Sequence, residues 1–505
     1  MASDAAWQHG FPVLLVASMG CAMTVLDTNV VGVVLPTIAR DLQASFAEIE
    51  WVVSAYVLCF AALLLPAGAI ADRHGRRRTL LLGITAFAVA SLACGMAPSA
   101  AALYLARGAQ GMAAAFLLAP ALALIGHAFH DGSERDRAWA LWGGVMGLTM
   151  VVSPLLGAAI GGWLGWRWAF HINLLICPLL ATAIWAFVDE SRDPAPRRLD
   201  IPGIALFASA MLCVTWALIL GPGHGWISIE VLLRIAVGIG LFAAFAWVER
   251  NSADPMLDLR LFAAWPFVAA VLAMFVYASS AQVMASLLPL FLQNGLGKDV
   301  LAAGIGMLPF ALAMLAFPQL GRRLSARLGS AGILPLGLMI IALGNLLMMF
   351  AARQHGLFAV AAGMFVMGAG GGLLNGETQK AIMGTVPRDR AGMASGISTT
   401  SRFSRVLLGF AGLGAVVADG TRSSVHADML AAHLPLTPGF VDGIIAGDLA
   451  RAMDAHPPAV AQTVAVIARE GYSVGFSRAF LAAAVLASIA ALFVRAAMQK
   501  KKRSA

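Results

Sequence analysis

Residues 68–78 read GAIADRHGRRR, with four arginines, a histidine and an aspartate set between two apolar runs, 49–70 and 79–97. Each run is long enough to cross a bilayer, which takes about 20 residues of helix. A basic loop between two spanning helices marks the cytoplasmic side of a membrane protein. A weaker copy, GRRLSARLG (321–329), follows another apolar run at 301–320. Arg73 and Gly75 match Arg327 and Gly329, while Asp72 becomes Ala326. Two such loops in corresponding places point to parallel halves of six helices with an inserted pair between them.

The rest of the chain fits this reading. Of its 505 residues 60% are hydrophobic and 12% charged, more apolar surface than a water-soluble fold can hide. Apolar runs recur at 11–35, 49–70, 79–97, 101–126, 138–160, 168–188, 201–220, 229–248, 267–292, 301–320, 331–351, 357–386, 395–418 and 476–496. They predict fourteen membrane helices, with twelve or thirteen as alternatives through the 201–248 region. With the N-terminus inside, cytoplasmic segments carry 21 Lys and Arg and external loops carry 7. That bias favours the even count and places both termini in the cytoplasm. It also accounts for the net charge of +8 by topology, without a nucleic-acid partner.

The expected organisation is an all-α integral membrane protein: a six-helix bundle over 11–188, an inserted pair over 201–248 and a second bundle over 267–496. Segment 419–474 is then an external loop with some helix. The five cysteines lie in apolar runs with no CxxC spacing, which predicts buried thiols and neither disulfides nor zinc. The first run is too long for a cleaved signal peptide and reads as a retained spanning helix.

Five motifs carry a family resemblance. GAIADRHGRRR resembles the loop signature of the major facilitator superfamily, matching it at Gly68, Asp72, Arg73, Gly75, Arg76 and Arg77, and LARGAQG (105–111) resembles its fourth-helix RxxQG motif. VLDTNVVGVVLP (25–36), WRWAFHIN (166–173) and RAGMASGISTTSR (390–402) resemble motifs of its fourteen-helix drug:proton antiporters. The resemblance implies the major facilitator fold, two six-helix bundles plus two additional central helices. One motif departs. In the fifth-helix antiporter pattern Gly144, Gly157, Gly161 and Gly162 fit, but Ser153 replaces a glycine and Ala158 a proline. Pro154, one turn away, is expected to supply the bend instead, since proline removes a hydrogen bond and crowds the preceding turn.

Asp27 lies inside the first apolar run, where an acidic side chain costs about 2.5–3.5 kcal/mol on insertion scales, so it needs a partner or a wet cavity. Counting at 1.5 Å per residue puts Asp27 roughly 12 Å below the outer surface and Arg107 of the fourth helix roughly 9 Å below it. The superfamily's architecture implies that these helices are neighbours. Two readings stay open: a pair that exchanges a proton as the protein alternates between faces, or a permanent clamp. Gln110 follows Arg107 at i+3 and can orient the guanidinium. Met23 shares the helical face of Asp27, whereas Asn29 points away, toward a neighbouring helix.

Glu377, in the inner half of the twelfth helix, departs from the apolar residues usual in the family. It reads either as a site for a cationic substrate, with Asn375 beside it, or as an ion pair with Lys380 at i+3. The 72–78 loop reads as a gate latch, Asp72 facing a helix that begins near Ser395, or as a plain topogenic loop. HAFH (127–130) with Asp131 and Glu134 has the composition of a metal site, but its place at a cytoplasmic helix end favours a solvated loop.

No nucleotide-binding GxxxxGK[ST] is present. The expected function is secondary export of small amphipathic or hydrophobic compounds by proton antiport, from a bacterial inner membrane. The partners are then protons, a small-molecule substrate and the bilayer, with no cofactor, no metal and a monomeric state. A substrate-specific uniporter or symporter is the alternative, and a multipass membrane enzyme or a sensor would need groups that the chain does not display.

Overall fold

The computed structural model describes residues 2–129, 132–192, 200–252, 259–354, 356–383, 391–435, 440–446 and 458–503, and its regular elements there are all helical. Eight long helices come first: α1 (Ala2–Asp41), α2 (Phe46–His74), α3 (Arg76–Gly95), α4 (Ala100–Ala128), α5 (Gly132–Trp163), α6 (Trp168–Phe187), α7 (Ile201–His224) and α8 (Ile229–Asn251). The ninth crossing is built in pieces: α9 (Trp265–Tyr277), a π-helical turn (Ala278–Val283), α10 (Met284–Leu290) and a second π-helical turn (Phe291–Gly295). The tenth is α11 (Val300–Gly306) followed by α12 (Leu308–Leu328). Then come α13 (Ser330–Gln354), α14 (Leu357–Asn375), α15 (Glu377–Met383), α16 (Ala391–Ala431), α17 (Phe440–Ala446) and α18 (Pro458–Arg503).

Local chemistry sets these boundaries. Ser45 opens α2 with a capping box: its Oγ accepts from the Glu48 amide, and the Ser45 N–H donates to Glu48 Oε2 at 2.8 Å. Ser99, Asp200 and Asp299 cap α4, α7 and α11 in the same sense, each accepting from the amide three residues on. Gly75, at φ 115°, turns the chain between α2 and α3, a conformation in which a Cβ would be strained.

Among the described residues, thirteen helical stretches are long and apolar enough to cross a bilayer. Only a hydrogen-bonded helix can take an open backbone through lipid, which is why the apolar runs become helices. The outer surface agrees: Leu82, Leu179, Trp185 and Leu492 are each about two-thirds exposed or more, as lipid-facing side chains are. The chain is a multi-pass membrane protein. The remaining expected crossing, 395–418, lies within α16, whose side chains are described only from Leu408 onward.

Segment 419–474, expected as an external loop with some helix, is more helical than that where it is described. α16 continues to Ala431 and α18 already begins at Pro458, so much of the segment prolongs two helices. The reason is proline placement. α16 contains no proline and winds to Ala431, after which His433 turns left-handed at φ 54° ahead of Pro435, and Pro458 stands at the first position of α18, where a missing N–H costs nothing. The two prolonged helices pack side by side, with Gly420 against Gly475 and Arg478 donating to Ser423 Oγ at 2.6 Å.

Packing falls into groups. α1 to α6 pack on one another, as do α9 to α14 with α16 and α18. α7 packs on α8 and also on α2 and α16, so the pair lies beside the seam between the groups. Contacts across that seam gather toward the face where α1 passes into α2. Gln293 Nε2 donates to the Val33 carbonyl at 3.0 Å, Gly304 of α11 lies against Ala158 of α5, and Gly414 of α16 lies against Glu50 of α2.

Candidate functional site

Asp27 of α1 and Arg107 of α4 meet in the interior of the first group of helices. Arg107 Nη1 lies 2.6 Å from Asp27 Oδ2, with side-chain exposures of 1% and 0%. Taking two charges out of water is tolerated only when the remaining polar atoms are also held, and here they are. Gln110 Nε2 donates to Asp27 Oδ1 at 2.8 Å, while Gln110 Oε1 accepts from Arg107 Nη1 at 2.6 Å. Asn173 Nδ2 of α6 donates to the same Asp27 Oδ1 at 3.1 Å. Ser91 Oγ of α3 accepts from Gln110 at 2.9 Å and from Asn173 at 3.2 Å. The guanidinium is anchored further by Arg107 Nε, which donates to the Val52 carbonyl of α2 at 3.1 Å, and by the Tyr56 ring 4.1 Å from Cζ.

Five helices therefore converge on one ion pair. The helical register explains why. Arg107 and Gln110 are three residues apart on α4 and share a face, and Gly111 lets that face approach the Tyr56 carbonyl, where a side chain would collide. Chemically the cluster is a neutral ion pair with both carboxylate oxygens bonded. A proton on Asp27 would cancel the charge opposite Arg107 and turn one acceptor oxygen into a donor, which obliges the network to rearrange.

The other expected residues fall into separate places. Met23 is buried one turn before Asp27, its Sδ 4.0 Å from Cys177 Sγ. Asn29 differs from expectation: its Nδ2 donates to Val25 O of its own helix at 2.7 Å, satisfying the amide without a neighbouring helix. Glu377 is buried at the start of α15, 3.6 Å from Lys380 Nζ, which also reaches Ser325 Oγ at 3.3 Å. Asn375 ends α14, where its Oδ1 accepts from Tyr277 Oη at 3.4 Å, and Gln282 Nε2 donates to that hydroxyl at 2.9 Å. No hydrogen bond or ion pair among the described residues joins Glu377 or Asn375 to the Asp27 cluster.

On α5, Gly157 lies against the Val30 backbone of α1, where a Cβ would sit 3.1 Å from Val30 Cα; Gly161 lies against Val34 and Val300. Gly144 and Gly162 face open space. Pro154 is inside α5, and Ser153 Oγ donates back to Thr149 O at 2.5 Å, so the ladder is loosened at two adjacent residues. Ala158, where the family pattern has proline, meets Gly304 across the seam.

In the 68–78 loop, Gly68 faces Ala119 of α4, and a Cβ there would meet the alanine methyl at 3.8 Å, an ordinary contact. Arg73 is exposed. Asp72 Oδ1 accepts from Arg76 Nε at 2.9 Å and Nη2 at 2.8 Å. The carboxylate is therefore taken within its own loop; the side chain of Ser395, its expected counterpart, lies outside the described residues, as do those of 390–402. The partner that sequence reasoning missed is Glu190, just beyond α6. Its two oxygens accept from the Arg77 and Arg78 amides at 3.1 and 3.2 Å, capping α3 and filling the space beside Gly75. Of the HAFH group, His130 and Asp131 lie outside the described residues, and no three potential ligands gather among the rest.

Asn173, Ser91 and Tyr56 were also not foreseen. Asn173 left a signal, a lone amide in the apolar stretch of the WRWAFHIN motif. Ser91 and Tyr56 left none, since a serine or tyrosine in a membrane helix is ordinary packing. The same motif holds the far end of α1: Trp166 Nε1 and Arg167 Nη1 both donate to Asp41 Oδ2, at 2.9 and 2.6 Å.

Comparison with known proteins agrees with this architecture. The family model described as Major Facilitator Superfamily matches residues 17–410. The chain is 34% identical over 405 residues to the Multidrug resistance protein Stp of Mycobacterium tuberculosis, covering 80% of this chain and 75% of that one. It is 32% identical to the Multidrug efflux pump LfrA of Mycolicibacterium smegmatis, over 97% and 95% of the two chains. It is also 29% identical to the Tetracenomycin C resistance and export protein of Streptomyces glaucescens, over 96% and 92%. Among solved structures, a bacterial homologue of the human lysosomal transporter Spinster superposes with a TM-score of 0.69 at 19% identity, covering 97% of each chain. The helices, the Asp27–Arg107 core and these likenesses together place the chain in the major facilitator superfamily, to which it belongs.

Proposed function

We propose that this protein is a secondary active transporter that exports small amphipathic or hydrophobic compounds from a bacterial cell across the inner membrane, in exchange for protons. The relatives' names, multidrug resistance, multidrug efflux, and tetracenomycin C resistance and export, support the substrate class. The observation that carries the coupling is the Asp27–Arg107 pair, a fully buried ion pair in the first bundle whose carboxylate is held by α4 and α6 as well. In this reading fourteen crossings leave both termini cytoplasmic, and the functional units are 11–188, 201–248 and 267–496. Asp27 takes a proton when water reaches it from outside and gives it up when water reaches it from inside. Gln110 and Asn173 hold the carboxyl in place through both steps, and Arg107 favours the return of the anion. The loop around Asp72 and Gly75 acts as the gating element, while Pro154 and the α5 glycines let α5 move against α1. Glu377, Asn375 and Met23 lie on the route of the substrate.

The decisive experiment is substrate flux in proteoliposomes under an imposed pH gradient, with wild type compared with Asp27→Asn. The expected result is gradient-driven uptake in wild type and only downhill equilibration in the variant. Gradient-driven accumulation that survives in Asp27→Asn would remove Asp27 as the coupling group.

A further inference from the structure

The seam between α2 and α16 holds a second carboxyl that the Asp27 cluster does not use. Glu50 lies one turn into α2, is 1% exposed, and its Oε1 has no hydrogen-bond partner among the described residues. The capping box at Ser45 employs Glu48, so the helix end makes no use of Glu50. The Glu50 carboxyl rests on the bare Cα of Gly414 in α16, where an added methyl would overlap Oε1. It is thus seated between helices of the two opposed bundles, on the face where they close.

Among the described residues, the charged groups on the surrounding helices are paired with one another or lie away from Glu50, and the side chains of Arg402 and Arg405 on α16 lie outside the described residues. On α1 and α4, Asp27 and Arg107 hold each other, Asp41 takes Arg167, and Arg40 donates to Pro36 O. On α16, Arg422 takes Asp442 of α17, Asp419 is exposed, and His426 and Asp428 lie further along the helix. α7 offers Trp216, edge-on to Trp51, and carries Cys213 and, at its far end, an exposed His224. The arginines of α3 lie beyond the opposite end of α2.

Oε1 of a carboxylate seated in this way has given up its water and, among the described residues, gained neither a cation nor an N–H, whereas a protonated carboxyl is tolerated there. We propose that Glu50 is a proton-binding site of the seam: its carboxylate takes one proton from water as α2 closes on α16 and returns it to water as they part. One O–H bond forms on closing and the same bond breaks on opening, with water as the donor and the acceptor. This rests on the alternating transport cycle proposed above. It adds to Asp27, which lies inside one bundle, a proton site that lies between the two. Because the closed seam binds the extra proton, lowering the pH shifts the protein toward closure.

The test is a distance measurement on the full-length protein in nanodiscs. Spin labels are placed at Ala47→Cys and Asp419→Cys, on the outer parts of α2 and α16, after replacement of the native cysteines. Distances are recorded between about pH 4 and about pH 9, a range that starts at ordinary carboxyl titration and extends well above it. The expected result is a short-distance population that grows as the pH falls in wild type and in Asp27→Asn. Glu50→Gln is expected to hold the short distance at every pH. A Glu50→Gln curve that follows wild type, or a response lost in Asp27→Asn, would overturn the proposal. Gly414→Ala supplies a second readout independent of the Glu50 substitution: its methyl should keep the seam apart at low pH, and wild-type closure there counts against the seat described. Flux of ethidium by wild type in proteoliposomes is a separate arm. Its failure removes the transport reading, while the distance curves still decide Glu50.

Discussion

Neutralising the two partners of the buried pair one at a time and then together should give a strongly non-additive result. Asp27→Asn leaves Arg107 charged and buried, held among the described residues by Gln110 Oε1, the Val52 carbonyl and the Tyr56 and Phe170 rings. Removing one member of such a pair costs about 3–5 kcal/mol, because the orphaned charge stays out of water. The retained amide still accepts from Gln110 or Asn173, so the lower end, about 3 kcal/mol, is expected. Arg107→Gln is worse placed, since Asp27 keeps donors from Gln110 and Asn173 but no cation, and about 4 kcal/mol is expected. In Asp27→Asn/Arg107→Gln no charge remains, and the amide and hydroxyl groups left in the cluster can bond among themselves. The double variant should lose about 2 kcal/mol, well short of the sum of the single losses. Equilibrium unfolding by SDS in mixed micelles measures each variant. Additive losses, within about 0.5 kcal/mol, would refute the claim that the pair is a single electrostatic unit. The double variant is also expected to stay unable to accumulate substrate against a pH gradient, which separates the stability of the pair from its coupling role.

Three further outcomes follow from the geometry. Gln110→Leu strips Asp27 Oδ1 of one donor and leaves Ser91 and Arg107 each short of a partner, so a loss of about 1–3 kcal/mol in the same unfolding assay is expected. Gly75→Ala forces a Cβ into φ 115° and against the Glu190 carboxylate, costing about 1–3 kcal/mol locally and slowing transport more than it weakens dye binding. Equal flux and unchanged proteolysis at the loop would argue against that role. Glu377→Gln should reduce export of cationic dyes more than of neutral compounds; equal losses would assign Glu377 to its pair with Lys380 instead.

Much of the fold was legible because membrane insertion forces a simple code. An apolar run of sufficient length has to be a helix, and arginine placement orders the runs across the bilayer. The meeting of Asp27 and Arg107 was legible because depth can be counted residue by residue from two helix ends, and the family resemblance implied that the two helices are neighbours. Lateral position cannot be counted in that way. Asn173 and Ser91 join the Asp27 cluster because α6 and α3 pack beside α1 and α4, and nothing local to those residues encodes it. Glu190 was invisible for the same reason: a glutamate in a polar segment resembles many others until the chain folds it over the start of α3. The helix within segment 419–474 was underestimated on composition. Its charges suggested a loop, yet without an interior proline α16 keeps winding to Ala431 and buries Val425 and Met429 beneath its polar face.

The side chains that cage Asp27 belong to α3, α4 and α6, and its own helix packs with them. If the two bundles rock as rigid bodies, this cage travels intact. The acid then does not commute between partners. It is more like a fixed electrode past which the aqueous front moves, wetted first from one side and then from the other. The rate of exchange would be governed by how water threads between the bundles, and a residue that narrows that passage could slow transport without touching the ion pair.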